Sequence, residues 1–106
     1  MEAPLREIVA NAGDEPSVVL NAVKETGREG VIVIGYDSGA AQKAAIMDGT
    51  MAGAITQNPV GIGYDTVKAA LMASKGEAVP ALIDTGFFWY DKTNMDSPEI
   101  AAVLYD

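Results

Sequence analysis

The run Val31-Ile32-Val33-Ile34 restricts the fold more than any other part of the chain. Four consecutive β-branched residues favour extended backbone. An apolar run with no polar alternation is the pattern of a strand covered on both faces, as in a parallel sheet. The run feeds Gly35, Tyr36 and Asp37, then an alanine-rich stretch closed by Gly49. That order predicts a strand over 31–36 and a helix over 39–48, and a second short strand is predicted over 51–56. A strand, a helix and a strand joined this closely predict a right-handed parallel crossover, with Asp37 at the carboxyl end of its first strand.

The flanking sequence is punctuated as clearly. Leu5, Ile8, Val9 and Ala12 recur at helical spacing before Gly13, which predicts a helix over about 3–12. Asp14 offers a cap, Pro16 suits a first turn, and Val18, Val19, Ala22 and Val23 form the apolar face of a second helix over about 15–25. Asn58-Pro59 opens a further helix reaching about Ser74, with Val60, Tyr64, Val67 and Leu71 on one face. The segment ALIDTGFFWY, residues 81–90, predicts a third strand, and Ser97-Pro98-Glu99 opens a last short helix. The fold class expected is α/β: a small three-stranded, mainly parallel sheet packed with an N-terminal helical hairpin and further helices. At 106 residues the chain is expected to be one domain.

Composition excludes several functions. Fifteen acidic residues against seven basic ones give a net charge of −8. Both nucleic acid and anionic lipid would be repelled, so neither is an expected partner. The chain has no cysteine and no histidine, which removes disulfides, thiolate and imidazole metal sites, and every histidine-dependent triad. No apolar run approaches the ~20 residues that span a bilayer, and no signal-peptide pattern opens the sequence, which as written reads as cytoplasmic. Asp48-Gly49-Thr50 reads as a helix stop. Gly61 to Asp65 lacks the glycine spacing of a dinucleotide loop. The acidic residues Asp84, Asp91, Asp96 and Asp106 are too scattered for a calcium loop or a carboxylate pair. No catalytic residue, cofactor or metal is expected.

Four segments, GVIVIGYD, KAAIMDGTMAGAITQNP, GYDTVKAALMASKGEAVP and IDTGFFWYDKTNMDSPEIAAVLYD, together resemble the C-terminal part of ribose-type sugar-binding proteins of bacterial ABC transporters. The resemblance covers residues 25–106 and implies one lobe of a periplasmic-binding-protein fold. In that family the aspartate of GYD and the glutamine before the Asn/Leu-Pro step line the cleft between two lobes and hydrogen-bond sugar hydroxyls. Those positions here are Asp37 and Gln57. The helix over 59–75 resembles one that, in the family, packs beyond the third crossing between lobes. Residues 2–24, with APLR, NAG and EPSVV, instead resemble a helical hairpin of the GroEL-type chaperonin equatorial domain. Two sources imply an engineered or recombined chimera with its seam between Asn21 and Gly30.

Two readings therefore stand at each candidate site. Asp37 contacts a ligand, or Asp37 or Ser38 merely caps the following helix, and for this chain capping is preferred. The aromatic run Phe87-Phe88-Trp89-Tyr90 stacks on a sugar or forms an interface, or its alternate members fill the core, and core filling is preferred. The function expected first is a chimeric folding unit with no catalytic activity; the alternative is a residual, weak small-sugar binding module. A homodimer is expected as well, with exchange of the arm 76–106 as one way to form it; the exchange would bury the aromatic run, and Met51 and Ile55 are expected to add to the uncovered apolar surface nearby.

Overall fold

The computed structural model describes residues 8–10, 16–27 and 29–106. Four strands, β1 (Ile8–Ala10), β2 (Ile32–Tyr36), β3 (Gly53–Gln57) and β4 (Phe87–Tyr90), alternate with helices α1 (Pro16–Thr26), α2 (Ala40–Asp48), α3 (Pro59–Ser74) and α4 (Pro98–Ala101). They form one sheet in the order β1-β2-β3-β4. β1, β2 and β3 are mutually parallel, and β4 runs antiparallel to β3. The α/β class and the mainly parallel sheet are as the sequence predicts, with four strands where three were expected, and β2, α2 and β3 form the expected parallel crossover.

The N-terminal hairpin is where the structure departs from expectation. Residues 8–10 are a strand, pairing Ile8 with Ile32 and Ala10 with Ile34, so the helix predicted over 3–12 is not formed there. The rest of that segment lies outside the described residues. The β-branched pair Ile8-Val9 is a good strand former, and the otherwise unpaired edge of β2 offers it a ladder. The second predicted helix is α1, whose Val19, Leu20 and Val23 pack against the core.

The core lies on one face of the sheet. In a sheet, cross-strand partners share a face and alternate residues do not. Val33, Ala54 and Tyr90 thus point together towards α2, where Ile46 and Ala45 meet them, and Met51, Met95 and Ile100 complete the cluster. α2 ends at Gly49 in the left-handed region, whose N–H reaches the Ile46 carbonyl. Asp48 accepts from both the N–H and the hydroxyl of Thr50, so Asp48-Gly49-Thr50 is a helix stop, as read from the sequence.

The strand predicted over 81–90 is β4 and is shorter than expected. It begins at Phe87 rather than at residue 81, and Leu82 is almost fully exposed. Gly86 sits at φ 73° and donates to the Asp84 carboxylate, a tight turn that breaks the extended run before it reaches β3. The chain leaves the sheet after Gln57 and returns at Phe87, and these two residues are register partners. Asn58 closes this excursion: its Oδ1 accepts from the Gly61 N–H and its Nδ2 donates to the Thr85 carbonyl at 3.0 Å. Within the excursion, α3 has no buried residue, and Val60, Tyr64, Val67 and Leu71 are all more than half exposed.

Candidate functional site

Asp37 stands one residue beyond β2, and Gln57 is the last residue of β3. Because the two strands are adjacent and parallel, both side chains emerge at the same, carboxyl edge of the sheet, where ligands sit in open α/β folds. Gln57 Nε2 donates to Asp37 Oδ1 at 3.1 Å. The structure therefore brings together the two residues singled out from sequence.

The capping reading of Asp37 and Ser38 fails. The N-cap of α2 is Gly39, at φ 141° and ψ 150°, and no side chain caps the helix. That backbone region is essentially restricted to glycine, so the chain enters α2 by conformational freedom and not through a side-chain cap. Ser38 is occupied elsewhere: its hydroxyl donates to the Tyr105 carbonyl at 2.7 Å and accepts from the Tyr105 N–H. The neighbouring Lys43–Asp106 ion pair holds the end of the chain over the same helix.

Asp37 itself adopts φ 65°, the only positive φ at a non-glycine residue among the described residues. Its N–H donates to the Ile55 carbonyl at 2.7 Å. Its carbonyl accepts from Gln42 Nε2 and from the Tyr90 hydroxyl, each at 2.6 Å. Gln42 and Tyr90 are both buried and lie 2.8 Å apart. Burial pushes the Tyr90 phenol above its ordinary value, an effect the Gln42 hydrogen bond opposes. Sequence reading missed Gln42. Its only signal is a lone amide among alanines, on the α2 face that also carries the buried Ala45 and Ile46.

The aromatic run divides by alternation. Tyr90 is fully buried and Phe88 packs against the core, while Phe87 is 73% exposed and Trp89 is partly exposed on the opposite face. Core filling is thus right for alternate members. Met51 is also buried, which corrects the expectation that it lies with the aromatic run on an uncovered surface. Phe87 shares the face of its partner Gln57. Trp89 lies across Gly53, and its indole N–H donates to Asp91 at 3.0 Å. The Thr93 hydroxyl and then the Trp89 N–H hold the Asp91 carboxyl below its ordinary value. Asp91 thus serves a local turn. The grooves along α3, one of 290 Å³ lined by residues including Met72, Val79 and Pro80, lie away from Asp37 and Gln57.

A mainly parallel sheet with polar side chains at the carboxyl ends of adjacent strands is an arrangement in which open α/β domains carry their ligands. The chain belongs to the periplasmic binding protein domain family, whose model matches residues 3–78. Solved structures agree. One is an ABC transporter, LacI family transcriptional regulator from Brachyspira murdochii, 38% identical over 93% of this chain and 35% of its own, with a TM-score of 0.78. A second is a carbohydrate transporter solute binding protein from Agrobacterium radiobacter in complex with D-arabinose, 36% identical over 93% of this chain and 34% of its own, TM-score 0.77. A third is an ABC transporter solute binding protein from Agrobacterium vitis bound with α-D-tagatopyranose, 27% identical over 97% of this chain and 35% of its own, TM-score 0.80. The chain thus spans about a third of the length of these proteins. The family model begins at residue 3 and runs through the chaperonin-like segment, so the comparisons lend no support to a second source for it. They back the sugar-binding alternative better than an inactive recombined folding unit.

Proposed function

We propose that this chain supplies one wall of a sugar-binding cleft, in which Asp37 and Gln57 hydrogen-bond the hydroxyls of a small sugar. The Asp37–Gln57 pair at the carboxyl edge of the sheet carries the reading. A sugar offers many hydroxyl donors, and a carboxylate accepts two of them in charge-assisted bonds. Gln57 uses one N–H to orient Asp37. The second carboxylate oxygen and the Gln57 amide oxygen then have no protein partner among the described residues. Phe87, exposed on the face of Gln57, adds an apolar surface of the kind that suits a sugar ring. The site binds without chemistry: no nucleophile stands beside a base in it. One wall makes few contacts, and association itself costs several kcal/mol, so millimolar affinity is expected. Titration of the ¹⁵N-labelled chain with D-arabinose and D-tagatose tests this. Shifts should centre on Asp37 and on the Gln57 side-chain amide, and should vanish in Asp37→Ala; shifts that persist in that variant defeat the assignment.

A second reading rests on a separate observation, the sixteen residues of α3 that bury none of their apolar stripe. Pairing of this exposed stripe between two copies would give a homodimer. The arm exchange expected from sequence has less support, because Tyr90, Met95 and Ile100 already fill the core of their own chain.

A further inference from the structure

Gln42 is an uneconomical residue for its position. It is 1% exposed, it sits in an otherwise apolar cluster, and its Oε1 has no hydrogen-bond partner. A buried polar atom without a partner is destabilising, and a methionine would fill the same space without that cost. The surrounding sequence nonetheless makes room for it. A Cβ on Gly35 would stand 2.4 Å from Gln42 Oε1, so β2 keeps a glycine where the amide lies. What the amide does is donate, through Nε2, to the Asp37 carbonyl at 2.6 Å, to the Tyr90 hydroxyl at 2.8 Å and towards the Tyr36 carbonyl at 3.3 Å. Tyr90 reaches that same Asp37 carbonyl from β4, also at 2.6 Å.

Two donors on different elements therefore grip one carbonyl oxygen, at the one non-glycine residue held at positive φ among those described. Left-handed backbone carries a cost for any residue with a Cβ, smaller for aspartate than for most, and contacts at both ends of the residue hold it there. Here the Ile55 carbonyl fixes the N–H of Asp37, and Gln42 and Tyr90 fix its C=O. With both ends of the residue pinned inward, the carboxylate accepts from Gln57.

We infer that Gln42 and Tyr90 are positioning residues, which hold Asp37 in its left-handed conformation and so aim its carboxylate at Gln57 and at a ligand hydroxyl. Neither touches the ligand. The inference rests on the sugar-wall reading for its consequence, but not for its geometry, and the experiment separates the two.

Gln42→Met removes the donor and the orphaned oxygen together, while keeping the volume. Tyr90→Phe removes one O–H and keeps the ring. In the full ¹⁵N-labelled chain, the three-bond HN–Hα coupling of Asp37 reads its φ, and the Gln57 side-chain amide shift reads the bond to Asp37. Both should move in the Gln42→Met/Tyr90→Phe double variant, with the amide pattern of β2 and β3 otherwise preserved. D-arabinose binding should weaken on the order of ten-fold, as expected for losing well-aligned hydrogen bonds. An unchanged Asp37 coupling and Gln57 shift would overturn the inference. So would an unfolded Tyr90→Phe single variant, which would make the hydroxyl a stability element. If the wild-type chain binds no D-arabinose, the sugar-wall reading fails, while the coupling and the amide shift still decide the positioning role.

Discussion

Gly53→Ala tests the packing of β4 on β3. Ordinarily alanine is the better strand residue, because glycine in a strand interior is destabilising by about 0.5–1 kcal/mol relative to alanine. With open space above Gly53, the substitution would therefore stabilise the protein. The structure closes that space. A Cβ there would lie 2.3 Å from Trp89 Cζ2, 2.7 Å from Cη2 and 2.7 Å from the Tyr90 carbonyl oxygen. The ring cannot simply swing away, since its indole N–H is bound to Asp91, and the carbonyl is backbone in the β3–β4 pair. Overpacking of this kind costs about 1–3 kcal/mol, which outweighs the propensity gain and leaves a net loss of about 1–2 kcal/mol. For a domain of this size that loss lowers Tm by roughly 5–15 °C. The assay is thermal unfolding followed by circular dichroism and by the fluorescence of Trp89, the single tryptophan in the chain. Emission should shift already in the folded state, because the ring must move off the strand. A Tm equal to or above that of the unsubstituted protein, with unchanged emission, would refute the contact and the reasoning built on it.

Other consequences are simpler to state. Ile46→Ala, at a side chain 1% exposed in the centre of the core, should cost about 2–5 kcal/mol in urea unfolding; a loss under 1 kcal/mol would mean the core lies elsewhere. The Tyr90 phenol has its value raised above 10.0 in the folded state, chiefly by burial. Its contribution is therefore intact below pH 10 and is lost as pH rises towards the folded value, because the unfolded phenol ionises first. Tyr90→Phe should flatten the alkaline limb of the stability curve, and an identical limb would contradict the burial. Asp91 behaves in the opposite sense: its lowered value means that its hydrogen bonds stabilise above about pH 4 and are lost as pH falls. Trp89 emission should report that loss in the unsubstituted protein and not in Asp91→Asn. Finally, light scattering should show a mass above 11.0 kDa at high micromolar concentration, reverting in Val67→Glu/Leu71→Glu; a constant 11.0 kDa would dismiss self-association through α3.

What could be read from the sequence was what local chemistry decides. The Val31–Ile34 run, the Gly49 stop and the Asn58-Pro59 start depend on neighbours a few residues away, and β2, α2, β3 and α3 appear where those signals place them. The segment around Ile8 and Val9 satisfies a helical period and a strand preference at once. Only the free edge of β2, a partner more than twenty residues distant in sequence, settles the conflict in favour of a strand. β4 was overextended for a related reason. Leu82 and Ile83 read as strand residues by type, but among the described residues no strand pairs with them, and the turn between Asp84 and Gly86 intervenes.

The candidate site was legible only in its outer layer. Asp37 and Gln57 could be named because their positions match a family pattern, yet the sequence left capping and ligand contact both open for Asp37. A backbone angle and the entry into α2 at Gly39, with neither Asp37 nor Ser38 capping it, remove the first option. The layer beneath was illegible, since Gln42, Gly35 and Tyr90 come from three elements and each looks ordinary in isolation. Their costs nevertheless fall in one place. The positive φ of Asp37, the orphaned oxygen of Gln42 and the glycine that clears space for it all lie at the carboxyl edge of β2, while Thr56, the other buried polar side chain among the described residues, has its hydroxyl paired with the Gln57 carbonyl. A fold selected for stability alone would spread such features out or lose them, because each is individually unfavourable. Their concentration behind one half-buried carboxylate supports the proposed role of that edge in holding a ligand.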